Sequence, residues 1–166
     1  MRILYISEFL KAGGAEVFLQ NLVKGLKKEF GKDIEIHVAT SDEQNKTLLE
    51  HYAKIHLVPR DPLYFQSRIL GFKNGIVSRK LTDVIKEVKP DLIHLNNIAG
   101  FGLAALEATY RANLPVIWTL HDHWLVCPNT LLFYKEDKIC NGNLRCVKDG
   151  CIKISRRLPF LNKLHI

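Results

Sequence analysis

Two hydrophobic periods alternate from the first residue of the chain. "RILYIS" (positions 2–7) alternates as a strand does, and "GGAEVFLQNLVKGLKKEF" (positions 13–30) is helical by its apolar spacing at Val17, Leu22 and Leu26. "IEIHVAT" (positions 34–40) predicts a second strand, a short helix follows over 42–52, and "KIHLVP" predicts a third strand. A longer helical stretch runs from about 65 to 88 and stops before Lys89-Pro90, because proline disfavours helical backbone in the residue ahead of it. "DLIHLN", "GFGLAALEATYRAN" and "PVIWTL" then give strand, helix and strand. Strands and helices in this alternation predict an α/β fold with right-handed crossovers and a parallel sheet covered on both faces.

Composition changes this picture little. At 166 residues the chain has the size of one domain and can bury a core without staples. It is 47% hydrophobic and 25% charged, in the range of soluble globular proteins. The opening apolar run is too short for a signal peptide and reads as the first strand, and no run approaches the roughly 20 apolar residues that span a bilayer. A cytoplasmic location is expected, soluble or on the inner membrane face. The net charge of +7 favours phosphate-rich partners without choosing among nucleotides, nucleic acid and lipid head groups. Many of the lysines, as in "LVKGLKKEFGK", fall on solvated helix faces.

Parallel strands all end on one edge of the sheet, and open α/β sheets bind ligands there. Polar residues gather on that edge: Gly13 and Gly14 after the first strand, Ser41 after the second, Asn96 and Asn97 after the fourth, and His121, Asp122 and His123 after the fifth. The glycine pair allows a tight turn and close approach of a ligand to a helix N-terminus, where free N–H groups favour anions. It is neither a dinucleotide fingerprint nor a P-loop, and Glu16 in the first helical turn would partly repel a phosphate placed directly on it. Asn96 and Asn97 suit sugar hydroxyls, and asparagine equally ends strands and starts turns. His94 lies within its strand and reads as packed. His121 at a strand end is placed to hydrogen-bond a ligand or carry a proton, with Asp122 orienting it or capping the next turn. "HDH" offers two metal ligands, short of the three or four a mononuclear site needs.

From about Cys127 the alternation stops. Cys127, Cys140, Cys146 and Cys151 fall within 25 residues and match the ligand count of a structural zinc site, although their spacing departs from paired C-x-x-C knuckles. Disulfides and free thiols are the alternatives. The basic, amphipathic end "IKISRRLPFLNKLHI" has no terminating signal and reads as a helix or linker cut short.

"YISEFLKAGGAEVFLQNLVKGL", "KPDLIHLNN" and "PVIWTLHDHWLVCPN" together resemble the N-terminal half of the family 4 glycosyltransferases, retaining enzymes of the GT-B fold, over nearly the whole chain. The resemblance implies a single Rossmann-like, acceptor-side domain over 1–166, with a cysteine-rich segment at 127–151 and a separate C-terminal domain that binds the nucleotide-sugar donor. It implies that Gly13 and Gly14 border the donor phosphates or the acceptor, that Asn97 lines the acceptor side, and that His121 contacts the transferred sugar and is the catalytic candidate. Asp122 joins these as a substrate-binding candidate. The donor enters as substrate and no catalytic metal is expected. The acceptor is a sugar or a lipid-linked sugar, and "FQSRILGFKNGIVSRKL" (positions 65–81) suits peripheral contact with an anionic membrane, or an ordinary helix packed on the sheet. The family's donor-binding carboxylates belong to the C-terminal half, so this chain by itself is expected to be an inefficient transferase and a piece of a longer protein. A second reading is a zinc-stabilised basic module that grips a partner protein or, less in keeping with these motifs, nucleic acid.

Overall fold

The structure, a computed structural model, describes residues 1–11, 13–62, 74–123, 127, 132–134 and 138–139. The chain forms two compact units, Met1–His121 and Asp122–Ile166.

The first unit carries β1 (Arg2–Ile6), α1 (Gly14–Phe30), β2 (Glu35–Thr40), a 3₁₀ stretch at Glu43–Leu48, β3 (Lys54–Leu57), α2 (Gly75–Val88), β4 (Leu92–Leu95), α3 (Leu103–Ala112) and β5 (Val116–Trp118). The strands pair in parallel in the order β3-β2-β1-β4-β5. This is the doubly wound, Rossmann-like arrangement that the alternation predicts.

Side chains of β1 alternate between the two faces. Ile3 and Tyr5 join Ile36 and Val38 of β2 in a core closed by Leu19 and Val23 of α1. Leu4 and Ile6 belong to the opposite face, where α2 and α3 pack against each other. The buried stripe of α1 differs from the one its spacing suggests. Leu19 and Val23 are fully buried, Leu22 and Leu26 are partly so, and Val17 is exposed. Glu16 turns inward in its place, which rotates the helix away from Val17.

α2 starts on Asn74, whose Oδ1 accepts from the N–H groups of Ile76 and Val77 at 3.0 and 3.2 Å. It ends on Lys89 in the left-handed region (φ 48°), just ahead of Pro90, as the sequence predicts. The helix expected over 42–52 is a 3₁₀ stretch instead. The Asp42 carboxylate at its start is taken up by the N–H of Leu10 (3.0 Å) and the amide of Asn45. Of positions 65–81, residues 65–73 lie outside the described residues, while Val77, Ser78 and Leu81 are buried. Among the described residues no helix is long and apolar enough to cross a membrane.

His37 of β2 is buried, with Nδ1 2.9 Å from Nε2 of His56 on β3 and Nε2 3.1 Å from the Glu35 carboxylate. Burial lowers both rings below their ordinary 6.5, opposed at His37 by Glu35 and reinforced at His56 by the neighbouring His37 charge. Burial lowers His94 too. Below pH 6.5 the unfolded chain therefore binds more protons than the folded one, and stability that is complete above 6.5 is lost as pH falls. The urea midpoint is expected to drop between about pH 7.5 and about pH 5 at constant m, with a shallower slope in His56→Gln. Glu35 does not confuse this window. Lys54, Arg2 and His37 hold its carboxylate at about 2, so its contribution fades only below its ordinary 4.5.

In the second unit β6 (Phe133–Tyr134) and β7 (Lys138–Ile139) pair antiparallel. Cys127 is buried with a free thiol, and its N–H donates to the His123 carbonyl at 2.8 Å.

Candidate functional site

The carboxyl ends of β1 and β4 are joined directly. The N–H of Asn96 donates to the Ile6 carbonyl (2.9 Å) and the N–H of Glu8 to the Asn97 carbonyl (2.6 Å). From this joint, two asparagines reach in different directions.

Asn97 donates from Nδ2 to Oε1 of Glu16 at 2.8 Å, and Oε2 of Glu16 accepts from the N–H of Gly13 at 2.7 Å. A residue read as a dipole partner is thus the clasp of the glycine turn. Its carboxylate satisfies the Gly13 N–H that begins α1, in the manner of half a capping box. A Cβ on Gly14 would meet nothing within 4 Å, and one on Gly13 only the Glu16 carboxylate at 3.7 Å. The fold leaves room for side chains at both positions. Gly13 and Gly14 are exposed, and the first helical N–H groups behind them have no partner within the helix.

Asn96 is buried. Its Nδ2 lies 3.2 Å from both the Ala15 carbonyl and Ser7 Oγ, and its Oδ1 lies 2.7 Å from Nε2 of His121. His121 is exposed, and the Phe18 ring packs edge-on against it at 5.3 Å between centroids. His94, beneath, is buried with Nε2 2.8 Å from Thr119 Oγ1, the packed role the sequence predicts.

Gly13 and Asn97 are therefore linked through Glu16, and His121 is linked through Asn96 to Ala15, with Gly14 between Gly13 and Ala15 in the chain, all on the carboxyl edge of the sheet. Asp122 opens the second unit. Cys140, Cys146 and Cys151 lie outside the described residues, and among the described residues no three His, Cys, Asp or Glu side chains gather as a metal site.

Glu8 was not foreseen as part of this edge. It is buried, with Oε2 accepting from the N–H of Gly100 (2.6 Å) and Oε1 meeting Nε of Arg60 (2.6 Å). Burial raises its carboxyl above the ordinary range, Arg60 and the Gly100 N–H pull it back, and Glu16 adds a further upward push. The signal available in the sequence was an acid directly after a central strand, paired with "AGFG" after another.

The edge offers an exposed glycine turn whose Gly13 N–H is held by the Glu16 carboxylate, a carboxamide, and an imidazole with one nitrogen committed to the protein. The carboxamide and the imidazole suit a ligand carrying hydroxyl groups.

Residues 12–157 match the model of Glycosyltransferase Family 4. The chain is 29% identical over 161 residues to an uncharacterized 42.6 kDa protein in the cps region of Klebsiella pneumoniae, covering 87% of this chain and 40% of that protein. Crystal structures of Anabaena Alr3699/HepE, in complex with UDP and glucose and in complex with UDP, superpose with a TM-score of 0.52 at 26% identity, over 74% of this chain and 30% of theirs. The chain spans well under half the length of these relatives.

Proposed function

The chain belongs to Glycosyltransferase Family 4, and from that premise we propose that it is the N-terminal, acceptor-side part of an enzyme that moves a sugar from a nucleotide-sugar donor to an acceptor with retention at the anomeric carbon. The observation that carries the reading is the gathering of Gly13, Gly14, Asn97 and His121 on one sheet edge. The glycines let a substrate approach the start of α1, Asn97 serves acceptor hydroxyls, and His121 contacts the transferred sugar. In a retaining transfer the departing phosphate oxygen takes the acceptor proton, so His121 holds the sugar and does not act as general base. The relatives' greater length supports a donor-binding C-terminal half that completes the cleft. The cps-region relative supports a role in polysaccharide biosynthesis.

The test is an assay of the complete polypeptide that contains this chain against a panel of UDP-, GDP-, ADP- and dTDP-sugars, with the product anomer read by NMR. Wild type is expected to consume one donor with retention. His121→Ala should lose about 10- to 100-fold in kcat/KM, the worth of about 1.5–3 kcal/mol for one hydrogen bond to the transition state. Gly14→Ala should raise KM while leaving the melting temperature unchanged, because the fold has space for the methyl group. A wild type that consumes no nucleotide-sugar, or an inverted product, would sink the reading.

A further inference from the structure

We propose that Asn96 is a positioning residue that fixes neutral His121 as its Nε2–H tautomer, leaving Nδ1 as the one ring nitrogen able to accept from a ligand. The orientation of the carboxamide follows from two independent partners. The Ala15 carbonyl can only accept, so the Asn96 atom 3.2 Å from it is the amide nitrogen. Ser7 Oγ spends its single proton on the Phe9 carbonyl (3.0 Å) and can only accept from Asn96, which again requires the nitrogen there. Oδ1 is thereby the atom that faces His121 at 2.7 Å, and a carboxamide oxygen has no proton to give. Nε2 must carry the hydrogen.

The lock is stiff. Asn96 is 3% exposed and its backbone N–H is part of the β1–β4 ladder, so its side chain cannot swing without breaking three contacts. Phe18 holds the imidazole from the side. The ligand atom that meets Nδ1 is accordingly a hydrogen-bond donor such as a hydroxyl. An unprotonated phosphate oxygen would face a lone pair. The consequence for transfer rests on the functional reading above, whereas the tautomer itself does not.

Long-range 1H–15N correlation spectra of the complete 15N-labelled polypeptide that contains this chain, recorded above neutral pH, report the tautomer directly. The expected pattern for His121 is a protonated Nε2 and an unprotonated Nδ1. Asn96→Asp gives up the two contacts of Nδ2 but keeps an acceptor opposite Nε2 and should retain the pattern above neutral pH, while Asn96→Ala should relax it toward the mixture of a free imidazole. In the complete polypeptide, Asn96→Ala is expected to lose several-fold in kcat/KM and Asn96→Asp to recover part of it. A protonated Nδ1 or a free-imidazole mixture in wild type overturns the proposal, whatever Asn96→Ala does to folding. Absence of transfer by wild type with the expected spectrum would instead overturn the functional reading and leave the tautomer assignment standing.

Discussion

Gly100→Ala is expected to destabilise the fold by about 3 kcal/mol, the upper end of what overpacking a tight site costs. A methyl group on Gly100 would be built onto the Glu8 carboxyl group, at a separation no real pair of atoms adopts. Glu8 has nowhere to retreat. Its backbone carbonyl accepts from Thr40 Oγ1 (2.9 Å), Ser41 N (3.1 Å) and Ser41 Oγ (3.0 Å), and its N–H is bound to Asn97. Moving the carboxylate would also part it from Arg60, stranding a buried acid whose protonation is already favoured by burial. Urea unfolding should show a lower midpoint at unchanged m, and a loss under about 1 kcal/mol would refute the close packing. The contrast with Gly14 is informative. There the added methyl meets nothing, so stability holds and any cost appears in function.

Leu4→Ala should cost about 3–4 kcal/mol, as deletion of a fully buried leucine leaves a cavity that rigid neighbours cannot close. Leu4 is 0% exposed at the centre of the sheet, paired in register with His37 on β2 and Ile93 on β4. Three strands meet at it, so little relaxation is available. The prediction is checked by the same urea titration, and Leu4→Met, which conserves volume, should lose less than about 1.5 kcal/mol.

The alternation of apolar runs determined the layer order, the parallel sheet and the edge on which the polar residues collect, because βαβ crossovers leave few topologies open. Pro90 determined where α2 ends, since the backbone ahead of proline resists helix. The position of His121 and of the glycine pair on that edge was legible too, as polar or flexible residues directly after strands are visible in one dimension. Tertiary structure decided what holds them. That Asn96 faces His121 while its neighbour Asn97 faces Glu16 depends on the alternation of side chains across a strand end whose phase the sequence leaves open. That Glu16 is an internal clasp, and that α1 buries Leu19 and Val23 in place of Val17, follows from the rotation imposed when the helix docks on β1 and β2. Glu8, Arg60 and Gly100 are joined across 92 residues of chain, and a contact of that kind carries no local periodicity by which the sequence could announce it.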